Sequence, residues 1–414
     1  MSKYNVTSIL IVSVIFIVTS MTSASTFDDV QNLTTALFVT GSYNKEIRPT
    51  YNQFYPTYVT VVFNLAGITD VDQVEEKLTT TVFLTLFWTD EHLMWDPATY
   101  GGLSSILVPQ SKVWRPDIAL ENGFTKMTEL GDSFLLLNIK SDGTVYWVPY
   151  EIFETKCSMD ITYFPFDKQK CDINVGVWTS EVDDVMVRVG VAAMTEDSYQ
   201  ENGEWDLTET SATTYISKSN NANVKFSLYM DRKPQYYIYN VVAPILLLSI
   251  LSVFTFAIPV DSGEKLGFCM TVYLAFAVFL TIVSASLPVS SYMSLLGKYL
   301  IFLLVVGTLI IVITAVELRI HFRDSSREIP GWVQCLVRFS LVLQCRRRRR
   351  KVVDQATDTV TKTSTVDDKD EDIVTISWMS VSAAIDFYCF WIFLTTVMLG
   401  TLVLFLTGYQ ESHA

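Results

Sequence analysis

After Arg232 the sequence changes character, and that change limits what the chain can fold into. Four apolar runs follow, Tyr237 to Pro259, Leu266 to Leu287, Tyr299 to Val316 and Ile385 to Leu406. A helix of about 20 apolar residues, rising about 1.5 Å at each, crosses a bilayer core, so each run reads as a membrane span. The second run, bounded by Lys265 and Pro288, has unequal faces. At about 100° per residue, Gly267, Thr271, Leu274, Val278, Thr281 and Ala285 fall in one stripe, with Glu264 just below it. One such helix encloses nothing. Several around an axis make a tube with a hydroxyl lining, an aliphatic waist and a carboxylate ring at one mouth. Small and hydroxylated residues also serve close helix packing in membranes, and Ser284 and Ser286 lie off the stripe. Taken alone, this run leaves both uses open.

The residues before Arg232 are of another kind. Thr57 to Asn64, Thr79 to Trp88 and Val224 to Met230 alternate apolar with polar, and Asn122-Gly123, Asp142-Gly143 and Asn202-Gly203 supply turns. Short alternating strands in one domain of this size predict an antiparallel, immunoglobulin-like β-sandwich, with a short helix near Phe27 to Phe38 ahead of it. Further upstream, Lys3, the apolar run Ile9 to Val18 and the small residues after it read as a secretory signal. Asn32-Leu33-Thr34 is a glycosylation sequon.

Cysteine usage and charge extend this. Cys157 and Cys171 lie in the polar half, Cys269 and Cys389 in apolar runs, and Cys335 and Cys345 beside a basic linker. A disulfide in the first half with free thiols later implies two redox compartments and a chain that crosses a membrane. The basic run Arg346 to Lys351 places the linker between the third and fourth spans in the cytoplasm, and both termini outside. The expected divisions are a signal (1–24), a β-sandwich (25–235), three spans (236–320), a cytoplasmic linker (321–377), a fourth span (378–409) and an outer tail (410–414). Within the linker, 354–372 is polar enough to predict disorder, and Trp332 to Leu343 predicts an amphipathic helix on the inner leaflet. The net charge of −14 argues against a nucleic-acid partner and suits a surface that gathers cations. His92, His321 and His413 are scattered, and neither a phosphate-cradling glycine loop nor a Gly-x-Ser-x-Gly elbow occurs. The expectation is a non-enzyme without metal or cofactor.

Between Cys157 and Cys171 stands Phe164-Pro165-Phe166-Asp167. With Trp114-Arg115-Pro116-Asp117, Gly176-Val-Trp178-Thr179, Asn202-Gly-Glu-Trp205, Met230-Asp-Arg232-Lys-Pro and Asp261-Ser-Gly-Glu264-Lys265, the chain closely resembles the Cys-loop receptors, the pentameric ligand-gated ion channels. The resemblance covers nearly the whole sequence and points to the nicotinic-receptor-like, cation-channel branch. It implies a Cys157–Cys171 disulfide whose Phe164-Pro165 tip and Asp167 press on the linker from Pro288 to Lys298. It implies a homo- or hetero-pentamer in the plasma membrane, passing monovalent cations and opened by a small extracellular agonist.

Roles follow residue by residue from that resemblance. Glu264 sits at the cytoplasmic mouth, where relatives selective for anions carry Pro-Ala-Arg in place of Gly263-Glu264-Lys265. Leu274 and Val278 form the constriction, and Ala285 leaves the outer end without an acidic ring. For the agonist, Trp178 stands on one side of a subunit interface and Phe83 on the other, with Tyr146 and Val148 near it. Two departures speak against acetylcholine: Glu121 occupies a position usually tyrosine, and the third ligand loop, Tyr215 to Asn223, lacks the adjacent cysteine pair. Glu121 suits an amine ligand; a site that has lost its agonist, in an accessory subunit, is the alternative. Arg232 matches an arginine that pairs with an acid in relatives, for which Asp72 and Asp167 are the candidates.

Overall fold

Thr79 to Trp88 alternates in space as it does in sequence. In the computed structural model, which describes residues 25–191, 194–195, 198–285, 293–324, 327–344 and 376–412, strand β2 (Lys77–Met94) buries Val82, Leu84, Leu86 and Trp88. Phe83, Thr85 and Phe87 occupy its other face, the two-residue period of an extended chain with one side against a core. The expected signal (1–24), Pro288 and the arginine run 346–350 lie outside the described residues. These residues form two compact units: the first ends at Lys233 and omits 161–167, which belong to the second.

In the first unit, β2 pairs with β1 (Thr57–Asp72), β6 (Asp142–Trp147) and β7 (Tyr150–Lys156). Strands β3 (Ser105–Pro109), β5 (Leu136–Lys140) and β9 (Val185–Val189) complete a seven-stranded sheet, in which only β9 runs parallel to its neighbour. A four-stranded sheet runs β10 (Trp205–Ile216), β11 (Ala222–Arg232), β8 (Lys168–Val177), β4 (Ile118–Leu120). Phe63 of β1 meets Phe226 of β11 with ring centroids 4.6 Å apart, which closes one sheet on the other as a sandwich. Both rings are fully buried, and each contributes about 1.5–3 kcal/mol by leaving water. Cys157 and Cys171 are joined, as the resemblance implied. The expected leading helix is α1 (Phe27–Thr35), started by a capping box of Thr26 and Asp29 and continued by a wider turn to Thr40.

Among the described residues, four helices of the second unit are long and apolar enough to cross a membrane: α2 (Gln235–Ala257), α3 (Lys265–Ala285), α4 (Leu295–His321) and α6 (Trp378–Ser412). Two of them outrun the apolar stretches that announced them: α4 continues past Val316 to take in Glu317 and His321, and α6 starts at Trp378, ahead of Ile385. Between α4 and α6, helix α5 (Gly331–Leu343) buries Val337 against Val381 and Ala384 while exposing Trp332, Leu336 and Phe339. The expected helix is present, with apolar side chains on both its buried and its exposed sides. Residues 161–167 pack with these helices: Thr162 accepts a hydrogen bond from the Leu295 amide at 2.7 Å, and the Phe164 ring meets Tyr237 edge-on at 4.8 Å.

Candidate functional site

Strand β8 delivers Trp178 to the surface. Its register sets Gly176 opposite Asn223, where a Cβ would lie 1.5 Å from the Asn223 side-chain oxygen, so only glycine fits. Beyond the strand the chain is pinned: Asp117 accepts hydrogen bonds from the amides and hydroxyls of both Thr179 and Ser180. Asn221, within the third ligand loop, donates to the carbonyls of Trp178 and Ser180 at 3.2 and 3.0 Å. The Trp178 ring is thereby held half in water, with 54% of its surface exposed, and lines a cleft of about 230 Å³ together with Glu121 and Glu151.

Glu121 is not a free carboxylate there. Tyr215, on β10, donates its hydroxyl to Glu121 Oε2 at 2.5 Å. Burial, and after it the hydrogen bond and charge of Glu121, push the Tyr215 phenol well above its usual range, so the proton stays on the tyrosine. Burial likewise lifts the Glu151 carboxyl, offset by the Gly131 amide that donates to it. Trp178, Glu121 and Tyr215, far apart in sequence, thus form one constellation. The Glu121–Tyr215 bond had no signal in the sequence, since the third loop could not be placed in register without β11.

Phe83, Tyr146 and Val148 lie on the other sheet. Phe83 pairs across the ladder with Tyr150, ring centroids 4.9 Å apart, whereas Tyr146 stacks on Phe87 at 5.6 Å under the Lys140 ammonium. The aromatic neighbour of Phe83 is therefore Tyr150, which the sequence reading did not single out. Val148 is exposed where β6 gives way to β7.

Helix α3 settles which of its sides has partners within the chain. Cys269, Val272, Phe276 and Val283 are buried against neighbouring helices, while Gly267, Thr271, Leu274, Val278 and Thr281 are exposed. Leu274 is 65% and Val278 53% exposed. The hydroxyls of Thr271 and Thr281 donate back to Gly267 and Val278 carbonyls at 2.8 and 2.7 Å, so their oxygens face outward as acceptors. Glu264 is exposed and its carboxylate overhangs Gly267, 3.8 Å from where a Cβ there would sit, so it shares the stripe's face. Ala285 ends the helix, and its side chain is outside the described set. Lys265 turns the opposite way, into the bundle, and does not pair with Glu264: its ammonium lies 2.8 Å from Glu317 Oε2 and also contacts Asp386. Removing one member of such a buried group typically costs about 3–5 kcal/mol.

The arginine before α2 has an acid partner, but not Asp72. Arg232, 5% exposed, pairs with Glu204 at 2.5 Å and lies over the Trp205 ring, whereas Asp72 caps its own turn by accepting from the amides of Val74 and Glu75. Glu204 and Trp205 are adjacent, held by Asn202, whose side-chain oxygen accepts both their amides. Asp167 is buried within the 161–167 segment, and Asn32 is exposed on α1.

Comparison with known proteins agrees with this architecture. The family described as neurotransmitter-gated ion-channel ligand binding domain matches residues 30–234, and that described as neurotransmitter-gated ion-channel transmembrane region matches 241–369. The neuronal acetylcholine receptor subunit alpha-3 of Carassius auratus is 36% identical over 300 residues, 70% of this chain and 58% of that protein. The alpha-6 subunit of Rattus norvegicus is 34% identical over 334 residues, 78% and 67% of the two. The alpha-3 subunit of Homo sapiens is 35% identical over 300 residues, 70% and 59%. The chain spans 58% to 67% of the length of these relatives.

Proposed function

Because the chain belongs to the neurotransmitter-gated ion-channel family, we propose that it is a subunit of a pentameric, cation-selective channel of the plasma membrane, opened by a small extracellular ligand. One observation carries this most: α3 buries one side within its own chain and leaves the threonine, leucine and valine stripe, with Glu264 at its foot, unpartnered. Five such stripes about an axis make a pore whose oxygens accept from water and from cation hydration shells. Glu264, Gly267, Thr271, Leu274, Val278, Thr281 and Ala285 are assigned to its lining. In the open channel, a cysteine replacing Leu274 should react with a water-soluble thiol reagent at least tenfold faster than one replacing Val272. Equal rates would remove the pore assignment.

The ligand assigned to the Trp178, Glu121 and Tyr215 site is a small amine bearing N–H groups. A quaternary ammonium is held mainly by aromatic faces, since it has no proton to donate. Here one exposed indole stands with a carboxylate that has a second oxygen to offer, and a primary ammonium can use both. Phe83, Tyr146, Val148 and the newly seen Tyr150 would line the facing side on a neighbouring subunit. Glu121→Gln should raise the concentration of a primary amine needed for half-maximal current at least tenfold, about 1.4 kcal/mol, while changing the response to choline little. A uniform loss for both classes would mean that Glu121 only supports Tyr215.

Arg232 with Glu204, and the 161–167 tip with Phe164, Pro165 and Asp167, are assigned to coupling ligand binding to the pore, together with Pro288. Asn32 is assigned as a glycan acceptor.

A further inference from the structure

Lys265 follows Glu264 in sequence, and a four-carbon stem carrying an ammonium has the length to reach around a helix end. Its position is therefore decided by what holds it. The Lys265 ammonium hydrogen-bonds Glu317 Oε1 at 2.9 Å, lies 2.8 Å from Glu317 Oε2, and contacts Asp386 Oδ1. Ser382 adds a hydroxyl that donates to Glu317 Oε1 at 2.9 Å. The Lys265 and Glu317 side chains are 1% and 0% exposed, and that of Asp386 is 15% exposed. One ammonium thus faces two carboxyl groups from two other helices, α4 and α6. Glu264, meanwhile, stays exposed on the stripe's face.

We infer that Glu317 and Asp386 are positioning residues for charge selectivity: by holding Lys265 inside the bundle they keep an ammonium away from Glu264. With the proposed placement of Glu264 at the mouth as premise, every carboxylate in the ring has a lysine next to it in sequence. Were those lysines released, each could swing toward the mouth and cancel the field that draws cations. The acids that set the pore's sign would then include two that never touch an ion, and neither was singled out from the sequence as acting on the pore.

Two measurements on the full-length chain test this. In the first, purified protein is treated with a water-soluble amine-modifying reagent and each lysine is followed by mass spectrometry, with the exposed Lys298 as internal reference. Lys265 should react at least tenfold more slowly than Lys298 in the native chain and at a comparable rate in Glu317→Gln/Asp386→Asn. A native Lys265 as reactive as Lys298 overturns the inference. In the second, reversal potentials are recorded in a sodium chloride gradient. Glu317→Gln/Asp386→Asn should shift toward the chloride potential, and adding Lys265→Met should restore the native value. This triple variant leaves no buried charge unpaired, so it keeps the test open if the double variant fails to assemble. A double variant that assembles with native selectivity, or a triple variant that does not show it, overturns the inference. If Glu264→Ala leaves selectivity unchanged while the lysine-dependent shift persists, the mouth assignment fails and the positioning role stands. The opposite pattern fails the positioning role alone.

Discussion

Replacing Leu274 by threonine is expected to lower the agonist concentration for half-maximal opening at least tenfold and to raise current in its absence. In the single chain Leu274 is among the most exposed side chains of α3, so nothing within its own subunit shelters it. In the proposed pentamer five leucines would meet at one level, with five Val278 a turn further on, and shut out water by their apolar surface. Exchanging each for a hydroxylated side chain removes part of the roughly 1.5–3 kcal/mol that burying a leucine contributes. If each subunit lost only about 1 kcal/mol of closed-state preference, five would lose about 5 kcal/mol, close to what turns a 1:99 equilibrium into 99:1. Whole-cell recording at zero and graded agonist measures both effects. A variant with native resting current and native sensitivity would move the gate elsewhere.

Glu264→Ala is expected to abolish most of the cation preference while leaving agonist sensitivity near native. A carboxylate at an assumed ~6 Å from an ion contributes about 0.7 kcal/mol even at the dielectric constant of water, and five contribute roughly 3.5 kcal/mol before screening. That term has opposite sign for chloride, so its removal affects the permeability ratio twice. The local arrangement sharpens the expectation, because Lys265 is paired inside the bundle and offers no compensating charge to the mouth. The measurement is the reversal potential in a sodium chloride gradient, repeated at low and high ionic strength. The native channel's preference should weaken as salt rises and the Debye length falls below about 10 Å. Unmoved reversal potentials in the alanine variant would place the selectivity determinant outside the Glu264 ring.

Much of this was legible before any coordinates. The alternation in Thr79 to Trp88 became β2 with the predicted faces, and the apolar runs became helices, because both signals come from local periodicity that tertiary contacts reinforce. The stripe on α3 was also readable, since a helix turns its residues by a fixed angle. Long-range choices were less accessible. Asp72 was a reasonable partner for Arg232 by its charge and by the resemblance, but its carboxylate is used within its own turn, and Glu204 approaches through the pairing of β10 with β11. Tyr150 and Phe83 meet for the same reason, through a ladder joining residues on two strands. The C-terminal end of α4 lay beyond its apolar run because Glu317, Arg319 and His321 weaken the apolar pattern although the backbone continues.

By itself the sequence determined the order of parts: a polar β-sandwich, then four apolar helices, with one helix carrying a threonine and aliphatic stripe above a glutamate. It did so because strand and helix periods, span length and glycine or proline punctuation are properties of neighbouring residues. Only the tertiary structure decided which charges neutralise one another. Lys265 could have faced Glu264 or the bundle, and Glu121 could have stood free or accepted a hydrogen bond from Tyr215. Those choices depend on side chains brought together from distant segments, where a buried charge is stable only beside a partner that the chain order does not reveal.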